Sequence, residues 1–326
     1  MKNLDKRFIT ALMLMCSIIF TSFSTTFARF DEGMFTPDKV VSLPLTAKGL
    51  KIKPSEIYNP KTGGLSEAVI RLDTGCTGEF ISPDGLILTN HHCGLDALVA
   101  ASTPEKKYGD EGYKANSRAE ELPAKDYSIS IPIRVEDVTK TILPGTENLS
   151  GADRDKAIQA NIANLEKTEG AKAAQGNTVR VQAVSNGYFY YLYENKQIKD
   201  IRVVYAPPQT IGFFGGDPDN FEWTRHTGDF TFLRAYVAPD GKSADYSTNN
   251  VPFKPRKFLT ISLNGLKDND FVMVMGNPGG TTRYRESQSV KYSQEVNFPF
   301  LHQYLQTWGD ALRVIGRDNE EKRIAL

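Results

Sequence analysis

The chain has four histidines, at 91, 92, 226 and 302, and two of them are adjacent. His91 and His92 close an apolar run, Leu86-Ile87-Leu88, and are followed at once by Cys93. A second cysteine, Cys76, lies 17 positions upstream, beyond the connection Ser82-Pro83-Asp84-Gly85. Imidazole changes charge near neutral pH, so a histidine held at a fixed place can take and return a proton. Neighbouring residues at a strand end point to opposite faces, so one of the pair is expected to face a site and the other to be a structural neighbour. A metal site built from Cys76, His91, His92 and Cys93 is disfavoured, because three consecutive residues rarely converge on one tetrahedral ion. No metal or cofactor is expected.

A histidine base needs a carboxylate to hold its second nitrogen. The stretch from Phe213 to Phe230 offers three aspartates. Asp217 and Asp219 stand in a Gly/Pro turn, where a turn-forming role suits them. Asp229 opens the β-like run to Val237, and a carboxylate at a strand start is well placed to accept an imidazole proton. It follows His92 by 137 positions. Ser287 and Ser289 have nothing around them that marks an activated hydroxyl.

Elements must bring these residues together. Glu79-Phe80-Ile81 and Leu86-Ile87-Leu88 flank a Pro/Gly connection and predict a hairpin that delivers the histidines at its end. Ala68–Leu72 is a short β-like run before it. Leu95, Leu98 and Val99 predict a short helix after Cys93, and Ala152–Glu169 has the spacing of an amphipathic helix. Thr103–Asp126 is charged and reads as a loop. From Thr178 a dense series of short runs predicts strands at Thr178–Val184, Tyr188–Glu194, Ile201–Ala206, Asp229–Val237, Phe258–Leu263 and Phe271–Met275. Such spacing without intervening helices argues for an antiparallel barrel or sandwich. Residues 286–326 lose the alternation, and Leu301, Tyr304, Leu305, Trp308 and Leu312 recur at helical spacing.

The N-terminus has Lys2, Lys6 and Arg7, an apolar run from Phe8 to Phe20, and a Ser/Thr-rich segment ending in Thr26-Phe27-Ala28. This reads as a signal peptide over residues 1–28, cleaved after Ala28, in a secreted or periplasmic protein. The apolar run is too short to span a bilayer, so no stable membrane insertion is expected. Met15 stands before Cys16 where a lipoprotein signal wants a small residue. Removing residues 1–28 takes three basic residues and one acidic residue from balanced totals of 39 and 39, leaving a net charge of −2. That balance gives no reason to expect nucleic acid as a partner. Cys76 and Cys93 then remain, and an even pair in a secreted chain reads as one disulfide.

A strand ending in Thr-x-His-His-Cys, with an upstream cysteine to pair, resembles the histidine corner of chymotrypsin-like serine peptidases. Several further features closely resemble the bacterial dipeptidyl-peptidases 7 and 11. They are Leu88-Thr89-Asn90 before the histidines, Gly75-Cys76-Thr77-Gly78, Gly215-Gly216-Asp217-x-Asp219-Asn220, Arg225-His226-Thr227-Gly228-Asp229, Asp31-Glu32-Gly33-Met34, Tyr205-Ala206-Pro207-Pro208 and Gly276-x-Pro278-Gly279. The likeness covers nearly the whole chain after residue 28. It implies a mainly β fold, a chymotrypsin-like antiparallel β-barrel that is the first of two, with helical insertions. Residues 29–285 would form that barrel and 286–326 the beginning of a helical cap.

The same resemblance makes His92 the general base, Asp229 its orienting partner and Asn220 a ligand of the substrate's terminal ammonium. Phe221 stands where the family usually has Trp, so the aromatic wall survives without the indole N–H. The implied substrates are peptides with a free N-terminus, from which dipeptides are released, and the reading leaves room for a homodimer of the full-length form. The family's serine nucleophile lies in a Gly-Asn-Ser-Gly-Ser type turn of the second barrel, beyond Leu326. The turn Gly276-Asn277-Pro278-Gly279-Gly280 matches instead the family's Gly-x-Pro-Gly turn, and Pro278 has neither hydroxyl nor backbone N–H. The competing expectation is a non-catalytic secreted module that binds peptides through the amine clamp.

Overall fold

The computed structural model describes residues 34–59, 61–216, 223–279 and 285–325. Residues 1–28, Asp217, Asp219, Asn220 and Phe221 lie outside them. The hairpin at the start of the sheet is β2 (Thr77–Phe80) and β3 (Leu86–Thr89), with β1 (Val69–Leu72) antiparallel to β2. The long strands are β6 (Ile129–Asp137), β7 (Asn177–Val184), β8 (Phe189–Ile198), β9 (Asp200–Ala206) and β10 (Thr231–Val237). Short pieces β4 (Tyr113–Lys114), β5 (Leu122–Pro123) and β11 (Val251–Pro252) complete an eleven-stranded antiparallel sheet. Its order is β4-β9-β10-β3-β2-β1-β6-β8-β7, with β5 on β9 and β11 on β10.

Period-two patterning curls this sheet round a single core. Ile70, Leu72, Phe80, Ile87, Ile129, Ile198, Ile201, Val203, Leu233 and Ala235 are all essentially buried and share one cluster. Ile198 and Ile201 belong to strands far apart in the sheet order, so their meeting shows that the sheet wraps as a barrel. Only Lys199 separates those strands. At that corner the buried Asp200 accepts both Nε and Nη2 of Arg202, at 3.0 and 2.7 Å, and a bond from Asn250 Nδ2 at 2.8 Å. The Arg202 guanidinium lies 3.8 Å from the centre of the Tyr236 ring and 4.7 Å from that of Tyr246. Hydrogen bonds to both carboxylate oxygens are what let this charge pair stay buried.

Helix α1 (His91–Ala101) follows β3 directly, and helix α2 (Gly151–Gly170) packs on β7 and β8 through a satellite core of Val138, Ile142, Ile158, Val179, Tyr190 and Leu192. Within the charged stretch 103–126, expected as loop, Tyr113–Lys114 and Leu122–Pro123 pair with β9. The C-terminal residues form helices α3 (Phe298–Gly316) and α4 (Glu320–Ala325), after a shorter helical piece at Ser287–Tyr292.

Two expected strands are absent. Phe258–Leu263 and Phe271–Met275 run as irregular chain, with Leu263 and Val274 almost fully exposed. A strand needs a ladder partner, and the edges of β2 and β3 are already taken by β1, by one another and by β10. Leu259 N–H finds the Phe80 carbonyl at 2.8 Å, just past the point where β1 begins. Phe271 and Met275 pack instead on Leu45, Leu50 and Ile57 of the N-terminal lead-in.

Cys76 and Cys93 are joined as a disulfide with Cα atoms 6.1 Å apart, tying the start of β2 to the first turn of α1. Closing a loop of 17 residues restricts the unfolded chain. The double variant Cys76→Ser, Cys93→Ser is therefore expected to lose roughly 3 kcal/mol in urea unfolding. A change below about 1 kcal/mol would show that the bridge adds little beyond local packing.

Candidate active site

Strand register decides which residues meet. Thr89, the last residue of β3, stands opposite Thr231, the first of β10. Over the two positions beyond that rung the chain has Asn90 and His91 on one side and Phe230 and Asp229 on the other. Two segments 137 residues apart thus emerge side by side from one rim of the barrel.

Helix α1 starts here rather than after Cys93, and both histidines are its first residues. Their side chains therefore diverge by about 100° instead of pointing to opposite faces of a strand. The exposed N–H groups of a helix's first turn need acceptors. Asn90 stands at the N-cap but makes no capping bond to the helix. Asp229 supplies the acceptor instead. The backbone N–H of His92 donates to Asp229 Oδ1 at 3.1 Å, and His92 Nδ1 pairs with Asp229 Oδ2 at 2.9 Å. Asn90 Nδ2 donates to the backbone carbonyl and to Oδ2 of Asp229, both at 3.2 Å. The carboxylate is 8 % exposed, whereas the His92 side chain is 50 % exposed.

Such a carboxylate has two effects. Its charge lies at the positive end of α1, where an anion is stabilised by typically 0.3–1 kcal/mol. Accepting from Nδ1 also fixes the tautomer of His92 and leaves Nε2 with the lone pair. A ring so held and half open to its surroundings can accept a proton from a hydroxyl brought against it.

His91 turns inward. It is 1 % exposed and its Nε2 donates to the Pro207 carbonyl at 3.1 Å. Burial pushes its pKa below the usual 6.5, opposed by the Pro207 carbonyl and the Asp229 charge and assisted by the neighbouring His92. Cys76 Sγ, Cys93 Sγ and a ring nitrogen of His92 lie within 4.8 Å of one another, but the two sulfurs are bonded together and offer no thiolate to a metal. Tyr127, whose hydroxyl donates to the Cys93 carbonyl at 2.9 Å, anchors the same turn, and burial raises its pKa to about 12.

The stem of the segment that carries the expected amine clamp is described on both sides. Thr227 Oγ1 donates to the Phe214 carbonyl at 2.7 Å, and Gly228 N–H donates to the Ile211 carbonyl at 2.9 Å. Phe214 and Trp223 are exposed at its mouth. The clamp residues themselves, Asn220 and Phe221, lie outside the described residues. Ser289 Oγ is bound by the Arg285 guanidinium, with Nε at 2.9 Å. The Gly276 turn rests on β2, where Thr77 Oγ1 accepts the Asn277 N–H at 2.7 Å. Sequence reasoning assigned Asn90 no role. An asparagine immediately before a helix is an N-cap signature, and that signal also marks where α1 begins.

A family model described as Peptidase S46 matches residues 30–326. Dipeptidyl-peptidase 7 of Capnocytophaga gingivalis is 37 % identical over 289 residues, which is 87 % of this chain and 40 % of that protein. An Asp/Glu-specific dipeptidyl-peptidase of the same organism is 41 % identical over 271 residues, 82 % of this chain and 38 % of that protein. The crystal structure of Porphyromonas endodontalis DPP11 in complex with the dipeptide Arg-Asp superposes with a TM-score of 0.75 at 32 % identity. It covers 82 % of this chain and 39 % of that one. The chain thus spans about two-fifths of the length of the relatives it matches.

The lowered pKa of His91 has a consequence for stability. The unfolded chain binds that proton near pH 6.5 and the folded chain only at lower pH, so stability is complete above about 6.5 and falls as the pH drops through that value. Urea unfolding at pH about 7.5 and about 5.5 is expected to show this loss in the wild type and a smaller loss in His91→Gln. Equal losses in the two proteins would show that His91 does not titrate differently on folding.

Proposed function

The chain belongs to the peptidase S46 family, and from that membership we propose that it carries the base and the orienting acid of a serine-type dipeptidyl-peptidase. Asp229 holds Nδ1–H of His92 and stabilises the imidazolium that forms when Nε2 takes a proton. In this reading a serine Oγ attacks the carbonyl carbon of the second residue's peptide bond while His92 removes its proton. The same proton passes to the leaving amine, and water then releases the dipeptide from the acyl-enzyme. The observation that carries the reading is the double engagement of one buried carboxylate by His92, through Nδ1 at 2.9 Å and the backbone N–H at 3.1 Å.

The finer parts of the proposal rest on the resemblance of motifs. Asn220 and Phe221 form the clamp for the substrate's terminal ammonium, which an amide oxygen beside an aromatic face suits. Residues 29–285 are the first barrel and 286–326 the start of a helical cap. The protein is exported to the periplasm or beyond by residues 1–28. The nucleophile is not among residues 29–326, which would make this stretch inactive alone. Pro278 in the only turn of similar pattern and the engagement of Ser289 by Arg285 support that view.

Labelling with a fluorophosphonate probe and mass spectrometry tests the proposal. Residues 29–326 should take no adduct and release no dipeptide, while a version extended by the second barrel should do both. Asp229→Asn in the extended version should lower kcat by about 10⁴, the loss seen when a serine triad loses its orienting carboxylate. A stoichiometric adduct on a serine of the short chain would overturn the placement of the nucleophile. An extended chain that binds peptides without labelling would make the protein a peptide-binding module.

A further inference from the structure

The strand ends that meet at the site number three rather than two. β9 ends at Ala206, and since Tyr205 pairs with Phe232, the residue after it, Pro207, leaves the sheet on the same rim as Asn90 and Asp229. The Pro207 carbonyl there accepts Nε2–H of His91 at 3.1 Å. The short helical turn Gln209–Gly212 then folds over the ring of His91. A Cβ at Gly212 would stand 2.3 Å from Cγ, 2.4 Å from Cδ2 and 2.6 Å from Nδ1 of that ring, so the backbone of the turn rests directly on the imidazole.

From this turn the Ile211 carbonyl holds the N–H of Gly228 at 2.9 Å, and a Cβ at Gly228 would lie 2.7 Å from Ile211 Cγ2. Gly228 is the residue before Asp229. A closed path of contacts therefore runs from His91 through Pro207–Gly212 to Gly228, on to the Asp229 carboxylate and back to His92, the next residue along α1.

We propose that His91 is a positioning residue of the site: its ring is the seat for the Pro207–Gly212 turn, and that turn sets the backbone from which Asp229 reaches His92. Its functional meaning rests on the peptidase reading above, but the geometry it governs exists without substrate. Bulk alone does not fill this role. A side chain with no donor leaves the Pro207 carbonyl unpaired in a buried place, and the turn relieves that by moving away from α1. Tolerances in such constellations are near 0.5 Å, so a small shift of Gly228 takes the carboxylate out of line with Nδ1.

The test reads the His92–Asp229 bond itself. An imidazole N–H shared with a carboxylate gives a far-downfield proton line in NMR at low temperature, and His92→Ala assigns it. The wild-type chain should show the line. His91→Gln, whose amide nitrogen can take the place of Nε2, should keep it. His91→Leu should lose it by exchange with water. Gly212→Ala, whose added methyl group would push on Cγ, Cδ2 and Nδ1 of the ring and leaves the donor intact, should lose it too. Circular dichroism and thermal melts confirm that each variant is folded, and Gly212→Ala decides if the Leu variant is not.

A line that persists in folded His91→Leu or folded Gly212→Ala overturns the proposal, as does its loss in His91→Gln or its absence from the wild type. Failure of the peptidase reading, an extended chain that takes no probe, leaves these lines unaffected and is thereby distinguished.

Discussion

One carboxylate organises the rim of this barrel where β3 and β10 meet helix α1. Asp229 accepts the backbone N–H of His92 in the first turn of helix α1, the Nδ1–H of His92 and the amide of Asn90, while its charge faces the positive end of the helix. The bonds that cap the helix and the bond that orients the imidazole are made to the same two oxygens. Helix start and site geometry therefore cannot vary independently: displacing the carboxylate would fray the turn that carries the histidine, and fraying the turn would free the carboxylate.

That arrangement depends on the barrel, because its members are far apart in the chain. Antiparallel pairing of β3 with β10, and of β10 with β9, brings three strand ends to one rim. Each pairing is held in register by residues that must face the core: Ile87, Leu233 and Val203 are fully buried, and a shift by one residue would turn each to the outside. The disulfide fastens the first turn of α1 to β2, and the Tyr127 hydroxyl fastens the same turn to the loop before β6. Site precision here comes from rigid strands meeting a helix end and not from a flexible loop.

The outer parts follow other rules. Helix α2 and the β7–β8 hairpin form a smaller apolar cluster outside the barrel, pinned by Arg134 to Glu169 at 2.7 Å and to Glu194 at 3.3 Å. Segments 258–263 and 271–275 show the reverse case. They have β-prone composition, yet the neighbouring edges of the sheet are filled, and Phe271 and Met275 satisfy their apolar side chains against Leu45, Leu50 and Ile57. Composition makes a strand possible, and an available edge makes it real.

The sequence by itself determined the periodic and local features. Short β-branched and aromatic runs between turn residues marked the hairpin at 79–88 and strands along 178–206 and 229–237, helical spacing marked 152–169 and the stretch after 286, and the parity of the cysteines marked the bridge. It also singled out His92 and Asp229 as a candidate pair, through the kinds of residue around them and their likeness to a family, and the two side chains meet at 2.9 Å. What only the tertiary structure decided was everything that depends on a partner distant in the chain. Asn90 marks the start of α1 locally, but the carboxylate that accepts the His92 N–H comes from 137 residues away, and no local pattern reports its arrival. The inward turn of His91 is fixed by the carbonyl of Pro207 and the bare backbone of Gly212, which contribute no side chain to read. The loss of two expected strands is fixed by occupied edges. Propensity is a property of a few neighbouring residues, whereas a hydrogen-bond partner is set by register across the whole sheet.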